Sequence, residues 1–400
     1  MGREQASSWG ADHAVMRGLN RSLVLDLLKQ RSPISRAAIA KETRLAKPTV
    51  SAIVDDLLAQ GAAIEIGVAQ PAAGGGRPPI LLEFNRRSQF YVGVQIGVRR
   101  TRVVVTDGRG EELARAEAPT STAPPDSLLT AVGGVVTDLL VSAAAPPDAI
   151  AAVGVCLPGL VDPVAGVCLL APNLGWSDVA VADVLGQAVG GAPVFVANTT
   201  QACTVAETVE GAADGADDVV LVYAGTGVGA GLILAGRLHH GHRGVAGEIG
   251  HLPVEGATEP CSCGRTGCLE TLASAPALMR QATAAGLGAI DVPELAERAD
   301  AGDDVAAGLL AAAGRRLGEA VGGLLNAVNP EVVVIGGGLA DAGPALLDPL
   351  RAAATATALA PASEGTAIVP WALGQEAKIR GAVLVAMQNA EPIYRVMFRA

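Results

Sequence analysis

The stretch Gly244-Val245-Ala246-Gly247-Glu248-Ile249-Gly250-His251, followed by Cys261-Ser262-Cys263-Gly264-Arg265-Thr266-Gly267-Cys268-Leu269-Glu270, constrains the 400-residue chain more tightly than any other. Three cysteines share one short loop, where Gly264 and Gly267 let the backbone fold round an ion. Met1 to Gly10 carries Arg3 and Glu4 in place of the apolar core of an export signal, so a cytoplasmic address is expected and disulfides are not. Zinc takes four tetrahedral nitrogen and sulfur ligands, and a set closed by protein alone marks a structural ion. With His251 as fourth donor, the expected site for a structural Zn2+ is His251, Cys261, Cys263 and Cys268. Cys156, Cys168 and Cys203 stand among apolar or small neighbours and read as core fillers.

Outward from this loop, apolar runs end in glycines. The run from Val219 leads into Gly225-Thr226-Gly227-Val228-Gly229, and residues 332–335 lead into Gly336-Gly337-Gly338. Such turns let backbone N–H groups approach phosphates, but each taken alone is as readily a tight turn. Upstream, strand patterns at 91–96, 101–106, 112–117, 151–157 and 194–197 mix with helix patterns at 127–142 and 179–190. Helices and strands in alternation predict an α/β body.

The first 87 residues follow another pattern. A helix capped by Asn20 is expected, with Leu23, Val24, Leu27 and Leu28 as its buried stripe and Pro33 as its end. Ser35 caps a second helix over 36–42, and Pro48 opens a third whose core face is Val50, Ile53, Val54, Leu57 and Leu58, ended by Gly61. Two helices joined by a tight turn, with one before them, make a helix-turn-helix, whose second helix enters the major groove N-terminus first. Lys47, Pro48, Thr49 and Ser51 are therefore the expected DNA contacts. Strands at 63–67 and 80–84 flank Gly74-Gly75-Gly76-Arg77-Pro78-Pro79, which reads as a wing with Arg77 reaching a narrow minor groove. Charge follows the same division, because residues 1–87 carry +4 and residues 88–400 carry −15 of the net −11. A mildly basic head on an acidic body suits double-stranded DNA as partner, and no apolar run is long enough for a membrane span.

Taken together, these motifs resemble the ROK family of repressors, open reading frames and sugar kinases. The resemblance rests on Pro158-Gly159, Pro172-Asn173-Leu174-Gly175-Trp176, the Gly225 loop, Gly-Glu-Ile-Gly-His, the cysteine loop with Glu270, and Asn329-Pro330-Glu331 before Gly336-Gly337-Gly338. It implies an actin/hexokinase-like (ribonuclease H-like) body of two lobes behind a winged helix-turn-helix. The boundaries expected are 1–87 for the head, 88–198 for lobe one with a helix near 375–400 returning to it, and 199–374 for lobe two with the zinc loop. It also implies that Asn173, Asn198, Glu248, His251 and Glu270 contact a sugar or sugar derivative. Carboxylates that accept from hydroxyls, beside amides that donate, suit such an effector.

Where the family's kinases carry the Asp of a Glu-Asn-Asp-Ala-Asn-like segment as general base, this chain has Ala197-Asn198-Thr199-Thr200-Gln201, with Thr199 at the base position. A threonine hydroxyl does not take a proton at neutral pH as a carboxylate does. The first phosphate loop, Gln95-Ile96-Gly97-Val98-Arg99, keeps Gly97 but lacks the family's Asp, second Gly and Thr. The expectation is a DNA-binding regulator, a repressor by resemblance, without kinase activity; the alternatives are a sugar kinase with an atypical active site and a DNA-binding head, or a ligand-independent DNA-binding protein. It would work as a homodimer or tetramer on a pseudo-palindromic operator.

Overall fold

The computed structural model describes residues 5–68 and 78–390, and among them three large apolar clusters organise the chain. The first cluster belongs to α1 (Gln5–Arg31), β1 (Ile34–Ser35), α2 (Arg36–Thr43), α3 (Lys47–Ala59), β2 (Ala63–Val68) and β3 (Ile80–Phe84). Val24, Leu28, Ile39, Val54, Leu57, Leu82 and Phe84 fill its centre, and β3 lies between β1 and β2 in an antiparallel sheet. Ser35 caps α2 as expected, its hydroxyl accepting from the Ala38 N–H. Asn20 caps nothing: no proline interrupts residues 5–19, and α1 runs straight through it. Pro48 is the second helical residue rather than the first, a place where its missing N–H is equally harmless.

Two sheets form the body. The first contains β4 (Phe90–Ile96), β5 (Arg100–Thr106) and β6 (Glu112–Pro119), then α4 (Pro125–Ser142) leads to β7 (Ile150–Leu157). A small antiparallel sheet follows, made of β8 (Leu160–Asp162), β9 (Val167–Ala171) and β10 (Trp176–Val179), and α5 (Val181–Ala188) leads back to β11 (Val194–Asn198). Helix α6 (Thr199–Val209) crosses to the second sheet, where β12 (Val219–Ala224), β13 (Val228–Leu234) and β14 (Arg237–Leu238) come first. Helices α7 (Glu270–Ala273), α8 (Ala275–Ala284), α9 (Val292–Asp300) and α10 (Asp304–Val328) precede β15 (Val332–Gly336); α11 (Pro344–Thr357) and α12 (Ala360–Ser363) precede β16 (Ala367–Pro370). The chain then returns along α13 (Ala377–Ala390), which packs on β4 and β7 of the first sheet.

The strand orders are β6-β5-β4-β7-β11 and β14-β13-β12-β15-β16, each an antiparallel meander extended by two parallel strands. One topology used twice is the ribonuclease H-like, actin/hexokinase-like arrangement. Parallel strands buried on both faces explain the runs of valine in β7, β12 and β15. No described helix is long and apolar enough to cross a membrane.

Three contacts join these parts. Lys29 of α1, only 6% exposed, holds its ammonium 5.2 Å from the Phe84 ring centroid and 5.9 Å from that of Tyr91 on β4, so head and body share a buried cation–aromatic seam. Glu207 of α6 is fully buried; its Oε1 accepts from the Leu373 N–H at 2.9 Å and its Oε2 from those of Ala372 at 3.0 Å and Ala212 at 2.8 Å. Helices α6 and α13 meet backbone to backbone, because a Cβ on Gly381 would stand 2.0 Å from the carbonyl oxygen of Ala202. Gly381→Ala should therefore cost about 2 kcal/mol or more in urea denaturation, as overpacked buried contacts do; an unchanged midpoint would show that the two helices can part freely.

Candidate functional site

The cysteine loop is shaped by its own backbone. Pro253 bridges Cys268, Pro260 bridges Thr266, and the Cys261 N–H donates to the Arg265 carbonyl at 2.8 Å. His251 ends a short 3-10 turn, Ile249–His251, that is pressed onto β13. At Gly247 (φ +90) a Cβ would lie 1.9 Å from the Ala230 carbonyl oxygen, which is why the motif carries glycine there. The result brings one donor atom from each of His251, Cys261, Cys263 and Cys268 within 4.8 Å of the others. Cys261 Sγ lies 3.6 Å from His251 Nδ1, and Cys263 Sγ lies 3.7 Å from Cys268 Sγ. Tetrahedral zinc, with bonds of about 2.3 Å to sulfur and 2.0–2.1 Å to nitrogen, needs edges of about 3.6–3.8 Å. The donor set fits a metal such as zinc in both chemistry and spacing.

Electrostatics divide the thiols. The backbone N–H and side chain of Arg265 pull the exposed Cys263 down to about 6, whereas desolvation pushes Cys261 up to about 12. The Cys261 thiol donates to Glu270 Oε1 at 3.1 Å, and the same oxygen lies 3.7 Å from His251 Nδ1.

Glu270 also faces the other way. Its Oε2 lies 3.3 Å from where a Cβ on Gly227 would stand, so it borders the glycine loop between β12 and β13. Glu248 joins the same group, since burial raises its carboxyl above the usual range, opposed by His251 and reinforced by Glu270. At the start of α6, Asn198 is 7% exposed and caps the helix, its Oδ1 accepting from the Gln201 N–H at 2.7 Å. Thr199 is the first helical residue, and Thr200 Oγ1 lies 3.4 Å from the Cβ position of Gly229. Thus α6, the glycine loop and the metal loop converge.

Asn173 is exposed in the turn Pro172–Leu174, and among the described residues it makes no hydrogen bond to Asn198, Glu248, His251 or Glu270. Gln201 was not among the expected site residues. It is 2% exposed, and its Nε2 donates to the Gly244 carbonyl at 3.3 Å, tying the first turn of α6 to the loop that carries Glu248. Its position within the Asn198–Gln201 segment was the available signal.

On the head, Lys47 and Pro48 are exposed and Thr49 and Ser51 half-exposed at the first turns of α3. Farther along α3, Asp55 pairs with Arg36 at 2.7 Å and Asp56 with Arg21 at 3.4 Å, so the acids on its outer face are matched. Arg77 lies outside the described residues.

The model of the ROK family matches residues 91–389. The xylose repressor of Bacillus subtilis (strain 168) is 30% identical over 377 residues, covering 93% of this chain and 95% of the repressor. A glucokinase of Halalkalibacterium halodurans is 33% identical over 310 residues, covering 73% of this chain and 93% of the enzyme. Among solved structures, a ROK family transcriptional regulator, a homologue of the Escherichia coli MLC protein, superposes with a TM-score of 0.83 and 29% identity, covering 96% of this chain and 98% of that one. The two regulators match this chain nearly end to end, whereas the kinase leaves about a quarter of it unmatched.

The raised carboxyl of Glu248 sets a pH test. A group held above its unfolded value favours the fold fully below the ordinary carboxylate range and less as pH rises through the raised value. Glu248→Gln should therefore unfold at a higher urea midpoint than the wild type at pH 7, and the gain should vanish near pH 4; a gain that persists in acid would mean that charge is not its cause.

Proposed function

The chain belongs to the ROK family, and on that premise we propose that it is a DNA-binding transcriptional repressor that senses a sugar or sugar derivative and does not phosphorylate it. One combination supports the reading: the chain joins a helix-turn-helix head, with an exposed lysine at the start of α3, to a kinase-like body in which, by the resemblance, Thr199 stands at the base position. Phosphoryl transfer to a hydroxyl requires a group that takes its proton, and loss of that base costs about two to four orders of magnitude in rate. Glu248, Glu270, His251 and Asn198 remain as acceptors and donors for hydroxyls, and Asn173, exposed in its turn, is a further amide available to them.

On this reading the units are residues 1–87, 88–198 with the returning helix, and 199–374. Two heads of a homodimer, or of a tetramer built from it, take two half-sites of double-stranded operator DNA. Lys47, Thr49, Ser51 and the Pro48 edge meet the major groove, with Arg77 in the minor groove. The effector weakens DNA binding only by the difference between its affinities for the two head arrangements.

Sites occupied genome-wide by the full-length protein, with and without a panel of sugars, would supply the operator for testing. Lys47→Ala should weaken operator binding several-fold and lower the slope of log affinity against log salt by about one; an unchanged slope would remove Lys47 from the phosphate contacts.

We further propose that His251, Cys261, Cys263 and Cys268 hold one structural zinc, which would fix the loop that carries Glu270 against the effector pocket. Cys261→Ser or Cys268→Ser should lose the metal measured by mass spectrometry and lower the melting temperature, whereas Cys156→Ser should keep its metal. Full metal retention in the Cys261 and Cys268 variants would sink the assignment.

A further inference from the structure

A cavity of about 320 Å³, lined in part by Val196 and Ala197 just before Asn198, contains none of Asn173, Asn198, Glu248, His251 or Glu270. Phe195 of β11, Val205 and Val209 of α6, and Val385 of α13 give it an apolar floor. Arg237, exposed to solvent, lines it too, with Gln388 and His240. Among the described residues no aspartate or glutamate lines it, although the chain carries 40 acidic residues against 29 Lys and Arg. No ion pair among the described residues engages Arg237, which is exposed at the turn into β14. An apolar floor with a few convergent donors and no acid is the composition of a small-ligand pocket, and the volume is at the lower end of that class.

We propose that this cavity is a second small-molecule site, separate from the sugar pocket, for an anion with an apolar body such as an aryl carboxylate. The apolar part lies on Phe195, Val209 and Val385, and the anionic group meets Arg237, whose planar guanidinium can bind both carboxylate oxygens. The site reaches the rest of the molecule directly, because Val205 and Val209 bracket Glu207 on α6 and Val385 lies on α13, the helix that α6 crosses. An occupant therefore bears on both helices at once.

The test uses the full chain, the anionic aromatic probe 1-anilinonaphthalene-8-sulfonate, and phenylacetate as competitor. It needs neither sugar nor DNA, so its outcome is independent of the repressor reading. Expected is saturable one-to-one binding, displaced by phenylacetate. Arg237→Glu should weaken it about tenfold or more, the electrostatic cost of replacing attraction by repulsion. Arg237→Lys should keep most of it, and Leu238→Trp, which narrows the cavity, should abolish it. Arg237 is exposed and Leu238 half-buried in the lining, and melting temperatures near that of the wild type would show that the variants fold. The proposal falls if all variants bind the probe as the wild type does, or if binding appears only after residues 391–400 are removed, which would make the chain's own terminus the occupant. It falls equally if the wild type binds no probe while Leu238→Trp breaks a dimer, which would make a second copy the occupant.

Discussion

A single buried carboxylate holds the two halves of the body in register. Glu207 sits on the helix that leaves the first sheet, and two of its three N–H donors belong to Ala372 and Leu373, in the segment by which the chain returns from the second sheet. The two crossings between the halves are thereby tied to each other. The buried partner is the Glu207 carboxylate, so the segment just past β16 cannot lift from α6 without stripping a buried charge of two of its three donors. Three residues farther on, Glu376 reaches Arg115 of the first sheet at 2.6 Å, and before the clamp the Trp371 indole donates to Asp341 at 3.0 Å. Residues 371–376 are thus held at both ends and in the middle, which resists fraying of the connection between the halves.

The same economy explains how the head can respond to the body. The linker after β3 is pinned: the Gly108 N–H donates to the Arg86 carbonyl at 2.8 Å, and Arg87 Nη1 donates to the Ala143 carbonyl at 3.1 Å. Lys29 then sits on Phe84 and Tyr91, and Tyr91 belongs to the apolar cluster that includes Leu384 and Met387 of α13. From the α6–α13 crossing to the head, the path consists of packed side chains with no loose tether. In the proposed dimer, head spacing would follow a movement between the halves, because this path of described residues holds no loose tether.

Much of this was legible in the residues. The cysteine loop and His251 could be read as one donor set because ligand spacing and glycine-assisted turns are local properties, and the head could be read because helix caps and apolar stripes are local too. What local reading missed has a common cause. Asn20 looks like a cap, but nothing before it stops a helix, and only the extended α1 shows that its position is interior. Glu207 resembles any surface glutamate until residues 372 and 373, more than 160 positions away, are seen to donate to it. Lys29 likewise has no signature of burial in its own neighbourhood, since the aromatic rings that cover it lie on β3 and β4. Gln201 is the intermediate case: the segment was recognised, yet the carbonyl it meets belongs to another loop.

The threonine at position 199 bears on the physics of sensing as well as on catalysis. A pocket that phosphorylates its ligand turns binding into a steady state, in which occupancy depends on turnover and product release as well as on concentration. A pocket that returns its ligand unchanged stays at equilibrium, and occupancy then reports concentration through one affinity. The coupling to DNA requires that equilibrium, because reciprocal linkage between two binding sites holds for binding free energies and not for kinetic constants. On the proposed reading, keeping Glu248, Glu270 and Asn198 while placing a hydroxyl at the first residue of α6 would retain recognition and withhold the proton transfer. On that reading, any movement between the two halves would reach the head through α13 and the Lys29 seam.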